Sequence, residues 1–337
     1  MKRMLIPAVA LLMAICVAPA TGEENVSAAG VQVSGFVDAS YGGNLDLGTD
    51  GFGLDQVELD LARSLGARGG LRADLEWVKS GDDWELAVEQ GYLDYLPPFA
   101  PALTFTLGKF NAPIGFELLD APDMFQYSHA LVFTYGLPTN LTGAMLALPL
   151  GERADLRAYL VNGWDDNDLG QAGPKTVGGR LGLSFGELGG AGLAAISGSA
   201  VGESLEFDRR VIDVDLSLTP LPALRFGGEL NLGRVEAAGE ESTWTGFLAM
   251  VHYDFNAWLG LTARYDWLDD PDAWLFGLAG GETRSAIAIA PTFVLGEGMG
   301  ALVELRSDRS SEDVFTDGDG EAKASTTSLA FEMTYRF

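Results

Sequence analysis

From residue 329 to 337, apolar and polar side chains alternate without a break. Leu329, Phe331, Met333, Tyr335 and Phe337 fall on one face of an extended chain, with Ala330, Glu332, Thr334 and Arg336 on the other. A period of two puts successive side chains on opposite faces of a β-strand. The same rhythm returns along the chain. Leu71, Ala73, Leu75 and Trp77 oppose Arg72, Asp74, Glu76 and Val78; Ile212, Val214 and Leu216 oppose Asp213, Asp215 and Ser217. Leu224, Phe226, Gly228 and Leu230 alternate with Arg225, Gly227, Glu229 and Asn231, and Leu259, Leu261, Ala263, Tyr265 and Trp267 with Gly260, Thr262, Arg264 and Asp266.

A soluble sandwich alternates too, so the connections must decide. Short turns fall at 64–66, 97–101, 151–153, 186–190, 220–222, 254–256 and 296–300. Longer, acidic loops fall between them at 42–51, 165–173, 235–241, 269–281 and 310–321. Short turns at one end and long loops at the other are the plan of an antiparallel transmembrane β-barrel. About ten residues per strand, tilted near 45°, cross the apolar band. Strands are expected at 31–41, 53–63, 69–79, 85–95, 102–110, 141–149, 154–163, 176–185, 191–200, 208–218, 223–233, 242–253, 257–268, 282–294, 299–309 and 324–337. Sixteen, an even number, brings both ends of the barrel to the same side of the membrane. The count takes 111–140 as one long loop after strand 5, although 129–135 could itself be extended. The apolar run 286–295 is too short to cross as a helix and contains Pro291.

Residues 1–20 read as a cleaved export signal: Lys2 and Arg3, an apolar run from Leu5 to Val17, then Ala18, Pro19 and Ala20, with cleavage before Thr21. Cys16 as a lipid-modified residue is the rival reading, disfavoured by the bulk of Ile15. Residues 21–30 form a short leading segment and 31–337 the barrel. Cys16 is the one cysteine, so the exported chain has no disulfide and no thiol chemistry. With 48 acidic and 21 basic residues the formal net charge is −27, which makes nucleic acid an unsuitable partner. An apolar content of 47% excludes wholesale disorder.

Trp77, Trp84, Tyr92, Tyr95, Tyr253, Phe255, Trp258, Trp267, Trp274, Tyr335 and Phe337 lie near strand ends, where interfacial girdles form. Phe337, closing an alternating strand, resembles the signal read by outer-membrane assembly machinery. Four segments resemble the OmpL-like β-barrel porin family. They are Ser-Gly-Phe-Val-Asp-Ala-Ser-Tyr at 34–41, Gly-Lys-Phe-Asn-Ala-Pro-Ile-Gly-Phe-Glu at 108–117, Val-Asn-Gly-Trp-Asp at 161–165 and Lys-Thr-Val-Gly-Gly-Arg-Leu-Gly at 175–182. The resemblance spans about 34–185. It implies a pore in the bacterial outer membrane, and no catalytic residue carries over.

The loop 111–140 leaves strand 5 where general porins fold a constriction into the lumen. Asn111, Pro113, Gly115, Glu117, Asp120, Asp123 and His129 are its candidate lining. Wall candidates are Arg72, Asp74, Glu76, Arg157, Arg180, Asp213, Asp215, Arg225, Glu229, Arg264, Asp266, Glu304, Arg306 and Glu332. Carboxylate rings favour cations and opposed arginines set up a transverse field. The bland alternative is that these charges pair and merely keep the interior wet. The acidic excess points to cation preference in a channel for passive diffusion of small hydrophilic solutes. A structural or adhesive barrel with a blocked lumen is the alternative, and a barrel hydrolase the third reading.

No cofactor or metal is expected. Asp317, Asp319 and Glu321 alternate as calcium ligands do, as do Asp166 and Asp168 before Gly170. Ser328 stands where an EF-hand needs its bidentate Glu, so both read as solvated acidic turns. The two histidines, His129 and His252, lack an accompanying Gly-x-Ser-x-Gly or His-Glu-x-x-His motif and read as structural. Expected partners are outer-membrane lipids, lipopolysaccharide, the barrel-assembly machinery and small solutes. The small outward residues of 191–200 suit a homotrimer, by analogy with sixteen-stranded porins.

Overall fold

The computed structural model describes residues 30–337 except 81–82, 165, 168–174, 202–205 and 279. The export signal and Cys16 lie outside the described residues, as do Asp168 and Gly170. Sixteen strands form one closed antiparallel barrel. They are β1 (Gln32–Asn44), β2 (Thr49–Ser64), β3 (Gly69–Ser80), β4 (Asp83–Tyr95), β5 (Thr104–Asn111), β6 (Asn140–Pro149), β7 (Ala154–Val161) and β8 (Thr176–Ser184), then β9 (Gly189–Val201), β10 (Glu206–Leu221), β11 (Leu224–Ala237), β12 (Glu240–Asn256), β13 (Leu259–Asp270), β14 (Glu282–Gly296), β15 (Met299–Ser310) and, last, β18 (Ser325–Arg336). A small ribbon, β16 (Phe315–Thr316) with β17 (Ala322–Lys323), sits in the loop before β18.

Each strand pairs with its sequence neighbours, and β1 closes the cylinder on β18 from Phe36↔Arg336 to Asn44↔Ser328. Closure leaves no open edge, which in hydrocarbon would strand backbone polar groups without water. The alternation sorts the faces. On β10 and β11, Ile212, Val214, Leu230 and Leu232 are exposed outward, while Asp213, Asp215, Glu229 and Asn231 are buried inward. Pro291 has no N–H to give. The β14–β15 ladder accordingly passes from Ile289↔Leu305 to Thr292↔Leu302 without pairing it.

All sixteen expected strands are present, with longer strands at the loop end. The segment 235–241 is a two-residue turn rather than a loop: β11 and β12 run up to Ala238 and Gly239, whose φ of 52° and 84° match a tight hairpin. Likewise β1 and β2 shorten 42–51 to a turn at 45–48. Tyr92 and Trp274 are not girdle residues. Both pack against the apolar core inside the barrel, Trp274 edge-on to Phe207. Among the described residues no helix is long and apolar enough to cross a membrane.

The segment 112–139 is a single excursion, as expected. It contains a 3-10 turn at Ala121–Asp123 and a π-helical turn at Val132–Gly136, which occupies the stretch that could have been a seventeenth strand. Its ends pair as Asn111↔Asn140, and Asn140 Nδ2 donates to Asn111 Oδ1 at 2.7 Å. Ile114, Leu131, Val132 and Leu137 of the loop pack on inward side chains near the loop end, including Val161, Ile196, Val211, Val235, Trp244 and Leu268. The core of the protein therefore lies inside the cylinder, between loop and wall.

Candidate functional site

The loop crosses the lumen and docks on the wall opposite its origin. Period two along β13 puts Arg264 and Asp266 on the inner face, where Arg264 Nε donates to Asp266 Oδ2 at 3.0 Å. Arg264 Nη1 also reaches Glu117 Oε1 at 2.6 Å and Ser128 O at 2.5 Å. Arg306 of β15 donates to Asp308, to Ser128 Oγ at 2.8 Å and to His129 O at 2.7 Å. The backbone N–H groups of Ser128, Ala130 and Leu131 are taken by Glu304 (3.4 Å), Glu117 (2.7 Å) and Asp266 (3.0 Å). Three N–H groups and two carbonyls of 128–131 thus have charged partners. Burial alone would push Glu117 up. The Arg264 charge, helped by His129 Nδ1 at 3.5 Å and the Ala130 N–H, instead pulls it below the ordinary glutamate value of 4.5.

Further ties complete the crossing. Glu229 of β11 accepts the Phe116 N–H at 2.7 Å, beside Gly115, whose φ of 90° and contact with Leu137 leave no place for a Cβ. Gln56 of β2 holds the loop from both sides, donating to Leu119 O at 3.3 Å and accepting the Ala121 N–H at 3.0 Å. Arg336 pairs with Asp123 at 2.5 Å. Deeper in the wall, Trp244 donates to Asn231, and Asn231 to Asp213, at 2.8 and 3.0 Å.

A second group lies where β2 to β4 meet the other flank of the loop. Arg72 donates to Asp74 at 2.8 Å and lies 3.5 Å from Asp60, and Gln90 donates to Asp74 at 2.6 Å. Glu76 accepts from Gln56 at 3.2 Å. Beside them sit Glu58, Glu89 and the loop residue Asp120. Burial, then the charges of Glu89, Asp123, Asp60 and Asp74, push Asp120 up to about 7. Glu89 enters this group through a β-bulge: Asp74 pairs with Gln90 and Leu75 with Val88, so Glu89 is the extra residue and turns inward alongside Gln90. Asp55 is the extra residue of a second bulge, between Asp38↔Gln56 and Ala39↔Leu54.

A third group is near the short turns of β7 to β10. Arg157 and Arg180 are cross-strand neighbours, and with Asp155, Glu152 and Asp215 they edge a cavity of about 500 Å³. Arg180 is paired with Asp215, and Arg157 lies 3.4 Å from Asp155. Arg225 binds Asp254 at 2.6 Å. The expected site residues therefore separate. Glu117, Arg264, Asp266, Glu304, Arg306 and Glu229 hold the loop, and Asp213 is tied into the wall beside them. Arg72, Asp74, Glu76 and Asp120 gather on the acidic flank, and Arg157, Arg180 and Asp215 flank the cavity. Asp123 is engaged with Arg336, Arg225 with Asp254, and Glu332 is buried on the inner face. Glu58, Asp60, Glu89 and Gln56 were not anticipated. Glu58 and Asp60 do alternate with Val57, Leu59 and Leu61, a signal as clear as that of β3.

Thr262, His252 and Asp254 form a hydrogen-bonded line, with His252 Nδ1 at 2.8 Å from Thr262 Oγ1 and Nε2 at 3.0 Å from Asp254 Oδ1. Thr262 and His252 are buried, and the Phe125 ring covers the imidazole at 4.2 Å. A substrate would have no approach to that hydroxyl. In the outer turn, Asp317 Oδ1 accepts the N–H groups of Asp319 and Glu321, both at 3.0 Å, and Lys323 lies 3.1 Å from its other oxygen. Those backbone bonds and Lys323 hold Asp317 below the usual carboxylate range.

The fold is that of bacterial porins. The anion-selective porin from Comamonas acidovorans superposes with a TM-score of 0.68 at 13% identity, covering 91% of this chain and 99% of that one. The outer-membrane channel DcaP of Acinetobacter baumannii gives 0.65 at 13%, covering 92% and 99%. OmpT of Vibrio cholerae, in a trimer form, gives 0.63 at 12%, covering 91% and 99%. No curated protein sequence matches the chain. The model of the family described as "Putative beta-barrel porin-2, OmpL-like" matches residues 30–337, the whole barrel, and the chain is therefore an outer-membrane porin-type β-barrel belonging to that family.

Proposed function

We propose that the protein is a passive, non-enzymatic channel for small hydrophilic solutes, with cations favoured at the level of the crossing loop. The observation that carries the preference is the acidic flank: Glu58, Asp60, Asp74, Glu89 and Asp120 converge there, with Arg72 the one basic side chain paired into the group among the described residues. Carboxylates gathered in the wall beside a conduction path raise the local cation concentration through their field at low dielectric. The anion-selective Comamonas porin shares the fold, so preference resides in inner-face side chains rather than in the barrel. Residues 1–20 then serve as the export signal, and a homotrimer is the assembly, as for the trimer form of Vibrio OmpT.

One observation favours a second reading. The apolar packing of loop on wall fills part of the loop end, as a plug would. Conductance of the purified barrel in planar bilayers separates the two, and reversal potential in a salt gradient tests the preference. Ohmic steps with a cation-selective potential support the channel; an electrically silent, folded barrel would replace it with the structural role.

A further inference from the structure

We propose that Glu58, Glu89 and Asp120 form a calcium site that bridges the crossing loop to the barrel wall. Each offers a carboxylate oxygen, and these oxygens lie within 4.8 Å of one another. They come from three separate segments: β2, the bulge of β4, and the loop. Glu58 is at the centre. It exposes 2% of its surface, its Oε2 is buried without a hydrogen-bond partner, and its carboxylate belongs both to this group and to a second one with Asp60 and Asp74.

Charge compensation distinguishes the two groups. Arg72 reaches Asp60 and Asp74, so the second group already has its cation. Among the described residues no lysine or arginine forms an ion pair with Glu58, Glu89 or Asp120. Glu89, 6% exposed, is oriented by Asn111, whose Nδ2 donates to its Oε1 at 2.9 Å. Buried carboxylates without a counter-charge are costly unless a cation neutralises them. The donor set is oxygen alone, which selects a hard cation over zinc or copper. Carboxylates from three independent backbones give the flexible, irregular shell that calcium accepts and magnesium's strict octahedron does not. A bound ion would close the loop onto the flank opposite the Arg264 anchor.

Calorimetry on the refolded full barrel in detergent, stripped with EDTA and titrated with CaCl2, tests the site without reference to conductance. One site per chain is expected, with a dissociation constant on the order of 10⁻⁴ M. Glu58→Gln and Asp120→Asn should each weaken it at least tenfold. Asp120 lies in the loop, so its variant leaves the strand ladders intact, and heat-modified gel mobility verifies the barrel. Asp317→Asn, in the outer turn, should change nothing. Absence of saturable heat, unchanged binding in Asp120→Asn, loss confined to Asp317→Asn, or magnesium binding tighter than calcium would each overturn the proposal.

Discussion

Arg264 of β13 and Glu117 of the crossing loop, 147 residues apart in sequence, are bonded at 2.6 Å with both side chains almost fully buried. This contact joins the crossing loop to the far wall. Replacing Arg264 by Met would leave Glu117 buried without its arginine and Asp266 with only Arg306, 3.9 Å away, a loss of about 3–5 kcal/mol for a broken buried pair. The strand ladders do not depend on it, so the barrel should survive while the loop loosens. Chymotrypsin should then cut within 112–139 of the folded variant and leave the parent intact. Equal protection of both proteins would show that the anchor lies elsewhere.

Acid should release the same contact. Glu117 sits below 4.5 when folded, so its contribution is complete above that ordinary value and disappears as pH falls through the lower, folded one. The protection given by this contact should persist down to the ordinary value of 4.5 and fall below it. Release already at pH 6 would contradict the pairing.

Reversing one charge on the acidic flank should change selectivity without changing the fold. Asp120→Lys, measured in KCl gradients with EDTA present, is expected to move the reversal potential several-fold toward anions in permeability ratio. An unaltered potential would mean that ions pass at a distance from this flank.

The outward face should behave as lipid-facing surface. Leu230→Arg, near the middle of β11, is expected to cost about 2–4 kcal/mol in urea unfolding from vesicles. At the turn residue Gly239, replacement by Arg at the loop-end rim should cost mainly the strain of its positive φ, and a larger loss there than at Leu230 would invert the membrane placement.

Alternation was sufficient to locate every barrel strand, because lipid on one side and water on the other leave a period-two imprint that survives without long-range information. The crossing loop was legible from its length and position. Its contacts were not. Nothing local marks Arg264 as the partner of Glu117 rather than of Asp266 alone, and a hydrogen bond from Gln56 to Leu119 leaves no trace in either segment. Tyr92 and Trp274 pass for girdle residues in the sequence because nearness to a strand end says nothing of inward or outward aim. Glu89 was hidden for a different reason. Two consecutive polar residues, Glu89 and Gln90, look like a lapse in the pattern, although they are the place where β4 adds a residue. Asp55 and Gln56 look the same in β2.

Those two bulges carry a consequence for how such a channel can vary. Removing Asp55 or Glu89 would restore plain alternation, with Leu54 followed by Gln56 and Val88 by Gln90, and every hydrophobic residue above and below would keep its orientation. A single inserted codon can therefore tune the ionic character of the conduit while the membrane-embedded exterior stays untouched.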